Sequence, residues 1–214
     1  SVRMNALTRI TRNMAIVRHQ GELNLVNPIR LDEEGERQLR ALGEVKRILR
    51  LGPLHGLDDP YYVDRFGAEL FAPGESRAYP EPKVERTLAA AAPLPFPDTE
   101  VFEFAGALQP ECALVVRRDP PILLSCDAIQ HYGDYRHNNL LARIAMPFIG
   151  FPKTTVVGPI WLKLMTPEGA SLKGEFERLL TVDFDALLSA HGSFLRSGAK
   201  ASVTRAVRKA FPAS

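Results

Sequence analysis

The chain has 214 residues, 45% apolar and 24% charged, and its 27 basic and 25 acidic side chains leave a formal charge of +2. That balance is too even for the broad basic footprint of a nucleic-acid binder, and the apolar fraction excludes extended disorder. No stretch approaches the roughly 20 consecutive apolar residues that span a bilayer, and the first residues lack the apolar core of a signal peptide. A soluble, cytoplasmic, single domain over 1–214 is therefore expected, with neither nucleic acid nor membrane as partner. Cys112 and Cys126 both lie in apolar runs and read as small buried hydrophobes rather than a disulfide framework. Basic clusters at Arg3, Arg9, Arg12 and Arg18, and at Arg196, Lys200, Arg205, Arg208 and Lys209, read as solvated tails and helix faces.

In chain order, Met14–Val17 and Leu23–Val26 predict a hairpin. Asp32 is placed to cap a helix that runs to Leu42 and stops at Gly43. A short strand over Arg47–Leu51 leads into a breaker-rich loop from Gly52 to Pro60, where Asp59 is expected to cap a helix with Pro60 at its first position and Gly67 at its end. A strand follows over Glu69–Ala72. Six prolines between Pro73 and Pro97 predict a surface connection of little functional weight. Strands return at Val101–Phe104, Cys112–Val116 and Ile122–Ser125. Residues 128–170, rich in aromatics, Gly and Pro, read as a lid-like excursion. A helix over Ser171–Leu180, a strand over Ala186–Ser189 and a helix over Ala199–Phe211 complete the chain.

Four polar residues end or precede apolar runs: His55, Glu111, Asp127 and His191. Strand ends are where side chains from distant segments meet in one crevice, and imidazole and carboxylate suit divalent zinc, iron or manganese. Each also has an ordinary role, as a turn cap, a loop hydrogen-bond partner or a solvated carboxylate. His131 and His137, just beyond Asp127, offer substitute ligands or an exposed polar loop. No Gly-x-Ser-x-Gly elbow or Walker-type loop occurs.

This order of elements, with a His-bearing loop after the helix-following strand, an Asp-ended strand and a late His-Gly pair, resembles the metallo-β-lactamase fold. The resemblance implies an α/β, four-layer αββα sandwich. The family's loop motif His-x-His-x-Asp-His corresponds here to His55-Gly56-Leu57-Asp58-Asp59-Pro60. With His55 in first position, Asp59 matches the motif aspartate, and Leu57 and Pro60 replace histidines. With His55 in second position, Pro53 replaces the first histidine and Asp58 the last.

By resemblance, Glu111 stands near a strand-starting ligand, Asp127 at the bridging aspartate and His191 at the final histidine. The implied metal set is His55, Asp59, Glu111, Asp127 and His191, enough for one ion but not two. Whichever of Asp58 and Asp59 is not a ligand is the candidate to orient or deprotonate a water. Two readings stay open. One is a metal-dependent hydrolase of a small ester, lactone, thioester or phosphate. The other is a non-catalytic module that has lost its metal and binds a small molecule or a protein. Homo-oligomerisation is left open by both.

Overall fold

The computed structural model describes residues 2–3 and 9–212. Strands β1 (Val2–Arg3) and β2 (Arg9–Ile10) form a small antiparallel ribbon. β3 (Ala15–His19) and β4 (Glu22–Val26) follow as the expected hairpin. Gln20 and Gly21, both at positive φ, form its turn, the backbone twist that two-residue hairpin loops favour.

Helix α1 (Glu33–Leu42) is capped by Asp32, whose carboxylate accepts from the Gly35 N–H at 2.9 Å. β5 (Glu44–Leu49) begins directly after Gly43, earlier than its apolar pattern suggests, because Glu44 N–H bonds the Gly21 carbonyl and continues as a parallel partner of β4. Helix α2 (Asp59–Phe66) starts one residue before expectation. Asp58 occupies the cap position without a side-chain bond, and Asp59 is the first helical residue. β6 (Glu69–Ala72) and β7 (Arg86–Thr87) complete a five-stranded sheet in the order β3-β4-β5-β6-β7.

The second sheet contains β8 (Thr99–Glu103), β9 (Cys112–Val116), β10 (Ile122–Ser125) and β13 (Ala186–Ser189), in the order β13-β10-β9-β8. Between β10 and β13 the excursion is ordered rather than loop-like. It holds a ribbon of β11 (Ile129–His131) and β12 (Thr155–Val157) and the helices α3 (Leu140–Ala145) and α4 (Pro159–Met165). Helices α5 (Lys173–Leu179) and α6 (Ala199–Ala210) follow as the periodicity predicts, shortened at their ends.

Packing gives four layers. Val17, Val26, Leu49 and Phe71 of the first sheet face Cys112, Leu114, Val116 and Leu124 of the second. The other face of the first sheet, with Leu23, Leu25, Ile48 and Leu70, is covered by Leu39 of α1 and Tyr62 of α2. The other face of the second sheet presents Ala113, Val115, Leu123 and Leu187 to Trp161, Met165, Phe176, Leu179, Val203 and Val207 of α4, α5 and α6. A strand covered on both faces must be apolar throughout, which is why Cys112–Val116 reads as an unbroken run instead of an alternating one. The result is an α/β, αββα sandwich.

The proline-rich connection contributes more than a surface path. Leu88 and Phe96 are buried between the sheets, and Ser76 Oγ donates to the Pro53 carbonyl, tying this segment to the His55 loop.

Candidate metal centre

β10 and β13 run parallel, with Ser125 opposite Ser189. Asp127 and His191 therefore emerge side by side, each two residues past its strand. The loop after β5 brings His55 across from the other sheet. His55 Nε2 lies 3.1 Å from Asp127 Oδ2, and His191 Nε2 lies 3.4 Å from Asp127 Oδ1. The imidazole centroids are 5.0 Å apart. Among the described residues, these three offer ligand atoms that all lie within 4.8 Å of one another.

The tautomer of His191 is set by its second nitrogen. Nδ1 is 2.7 Å from the Thr11 carbonyl oxygen, so it must carry the proton and donate. In the neutral ring Nε2 then points a lone pair at a carboxylate oxygen, a contact that only a proton or a cation between them makes favourable. Burial pushes the His191 imidazole below its ordinary value, with the Asp127 charge opposing. Burial would also raise the Asp127 carboxyl, but the charge and hydrogen bond of His55, with His191 and Arg12, outweigh it and hold the group at about 2. Gln130 Nε2 donates to Asp127 Oδ1 at 3.2 Å and is itself fixed by the Tyr132 hydroxyl, 2.6 Å from Gln130 Oε1. A carboxylate and two imidazoles with an oriented outer partner form the two-histidine, one-carboxylate set that Fe(II), Mn(II) and Zn(II) accept, so the residues fit one divalent ion.

The other candidates are placed differently. Glu111 lies buried beneath Asp127, and its Oε1 accepts from the backbone N–H groups of Asp127 at 3.1 Å and Ala128 at 2.8 Å. Burial first, then the Asp127 charge, pushes the Glu111 carboxyl well above its usual range. Asp59 turns away from the cluster to Arg50 Nη1, 3.1 Å from its Oδ2. Asp58 pairs with Arg12 at 2.6 Å. Neither aspartate lines the cavity, whereas Leu57 does. Leu57 faces the site at a motif ligand position in either register, and Asp59, the motif aspartate of the first register, turns back to Arg50. His131 Nδ1 is engaged with Thr155 Oγ1 at 2.9 Å, and His137 is exposed.

Arg12 and Arg50 are the residues that sequence reasoning missed. Arg12 is no solvated tail residue: its side chain is buried at the cavity wall. The signal was the adjacent pair Asp58-Asp59 in a breaker-rich loop, which needs nearby cations. Tyr79, in the proline-rich connection, also lines the cavity, which measures about 430 Å³ and is walled by Ile10, Met146, Phe151 and Trp161 around the polar cluster.

Gly192 fixes the loop that carries His191. Its φ is +85°, and an added Cβ would sit 2.1 Å from the His131 carbonyl oxygen. Gly192→Ala should therefore cost at least about 2 kcal/mol, from left-handed backbone strain plus the clash. A urea unfolding midpoint unchanged from the parent would contradict this placement.

No family model matches the chain, and no curated protein does either. Solved structures do. DIM-1 metallo-β-lactamase superimposes with a TM-score of 0.65 at 10% identity, over 94% of this chain and 88% of that one. The metallo-β-lactamase FIM-1 from Pseudomonas aeruginosa, solved in its mono-zinc form, gives 0.63 at 10% identity, over 94% and 85%. TTHA1623, solved in a di-iron-bound form, gives 0.62 at 15% identity, over 91% and 94%. With the sheet order and the layer packing, these similarities establish that this chain has the metallo-β-lactamase fold.

Proposed function

We propose that the protein is a metal-dependent hydrolase with a mononuclear site, in which His55, Asp127 and His191 hold one zinc, iron or manganese ion. The observation that carries this reading is the lone pair of His191 Nε2 aimed at Asp127. Burial lowers the His191 imidazole against the pull of Asp127, and a metal ion held between the three ligand atoms would relieve the contact. Structural neighbours with a mono-zinc and a di-iron form support a metal of this class.

When bound, such an ion lowers the pKa of a coordinated water toward neutrality and polarises an ester, lactone, thioester or phosphoryl oxygen. The chain's own residues do the rest. Gln130 orients the Asp127 carboxylate, the Thr11 carbonyl orients His191, and Glu111 holds the backbone beneath Asp127. The apolar walls exclude water from a cavity sized for a small molecule. Asp58 and Asp59, locked on Arg12 and Arg50, position the His55 loop in this reading instead of transferring a proton. The two free, buried thiols Cys112 and Cys126 fit a reducing cytoplasm.

Leu57 at the cavity wall, where the family motif carries a metal ligand in either register, favours the other reading, a binding module without turnover. The test is reconstitution with Zn(II), Fe(II) and Mn(II), metal analysis, and a screen against small esters, lactones, thioesters and phosphate esters. One ion per chain with chelator-sensitive turnover is expected. One ion per chain without turnover on any class supports the binding module, and a chain that retains no ion sinks the metal reading.

A further inference from the structure

The wall of the cavity continues outward into a surface that a water-facing protein does not ordinarily present. Phe148 is 87% exposed and Leu140 73%, and Leu141, Ile144 and Ile149 are exposed beside them. Ile160 and Leu164, one turn apart on α4, extend the patch. The two parts adjoin, since Gly150 packs against Pro159, the first residue of α4. They also share the mouth of the site, because Met146, Phe151 and Ile160 line the cavity. Scattered apolar side chains need no explanation, but a contiguous set on one face marks a contact surface.

Charge narrows what the contact is. Between Asp134 and Glu168 the sequence holds no carboxylate side chain, while Arg136, Arg143, Lys153 and Lys163 are present. All four are exposed. Asp134 at the edge of the stretch is already bound to Arg136. Arg143 leans on the carbonyls of Tyr135 and Asn138, and Lys153 lies over the Tyr135 ring, so their charges are held in place, and among the described residues neither forms an ion pair.

Two copies meeting through this face would bring like charges together, which opposes self-association. An apolar ridge rimmed by cations is the pattern of a helix-bearing surface that lies in the headgroup region of an anionic bilayer. We propose that the face formed by residues 140–149 and the outer side of α4 docks on an anionic phospholipid surface, with the cavity mouth at the membrane. Docking of this kind needs no spanning helix, and among the described residues no helix is long and apolar enough to span. It also differs from the composition-based expectation of no membrane contact, because composition averages over a face that only the fold assembles. The inference stands whether or not the site holds a metal.

Vesicle co-sedimentation tests it, using the full chain with vesicles of phosphatidylcholine alone or mixed equally with phosphatidylglycerol. Partitioning onto the anionic vesicles should exceed that onto neutral ones by about tenfold or more at low salt, and fall as salt is raised. The triple variant Leu140→Ser/Ile144→Ser/Phe148→Ser should lose binding while keeping the far-UV spectrum of the parent. Lys153→Gln/Lys163→Gln, at exposed positions, should weaken anionic binding severalfold and provides a second arm should the triple variant misfold. Equal partitioning onto both vesicle types, no partitioning, or binding undiminished in both variants would overturn the proposal. So would a concentration-dependent dimer in light scattering that the triple variant abolishes while vesicles recruit nothing, since the occupant would then be a second copy.

Discussion

Asp127→Ala should weaken binding of zinc, Fe(II) or Mn(II) by well over about a hundredfold, because loss of outer partners alone costs 10–100-fold and this change removes the carboxylate that both imidazoles face. Titration of the metal-stripped variant against a competing chelator measures the effect. The same change should alter acid sensitivity. With its carboxyl held at about 2 against an ordinary 3.8, Asp127 contributes stability above the unfolded value that is lost as pH falls from about 4 toward 2. In the variant that part of the acid transition disappears.

Glu111→Gln is the control. It keeps an oxygen for the Asp127 and Ala128 N–H groups, so metal affinity should fall by no more than about tenfold, as for an outer partner. Affinity that survives Asp127→Ala but not Glu111→Gln would move the centre to Glu111.

The sequence shows the placement of residues along strands better than the direction of their side chains. Asp127 and His191 were legible because each follows a short apolar strand, and the parallel pairing of Ser125 with Ser189 turns that similarity into adjacency. His55 was legible because breakers end β5 just before it. Glu111 was legible as a strand-start residue, but not its aim. Whether a carboxylate at that position reaches a metal or a pair of backbone N–H groups depends on the height of β9 against β10, which no local pattern encodes. Asp59 likewise stood at the motif position in one register, yet its partner Arg50 directly follows the apolar end of β5, where a lone cation is buried only if a carboxylate meets it. The segment 128–170 read as a lid because its strands are three residues long and pair across some 25 positions. Its order comes from β12 packing on α6 and Trp161 in the core, both long-range contacts.

The Arg50–Asp59 pair carries the second large expectation. Arg50 is 1% exposed and Asp59 fully buried, and two of their polar atoms, Arg50 Nη2 and Asp59 Oδ1, have no hydrogen-bond partner among the described residues. Desolvation is thus incompletely offset, yet removing one partner is worse, since it strands a buried charge. Asp59→Ala should destabilise the protein by about 3–5 kcal/mol, while Arg50→Met/Asp59→Leu should recover most of that loss. A double variant no more stable than Asp59→Ala would mean that the pair, not its desolvation, dominates.

The pH dependence has the opposite sign to that of Asp127. Burial raises the Asp59 carboxyl from 3.8 to about 6, against the pull of Arg50 and Arg12. Between those values the folded state keeps a proton that the unfolded chain has released. The stability this provides is complete below about pH 4 and lost as pH rises through 6. Asp59→Asn removes the titration, so urea midpoints measured from pH 4 to 7 should lose that downward slope relative to the parent. An identical slope in both proteins would mean that Asp59 stays ionised throughout, with Arg50 offsetting its burial in full.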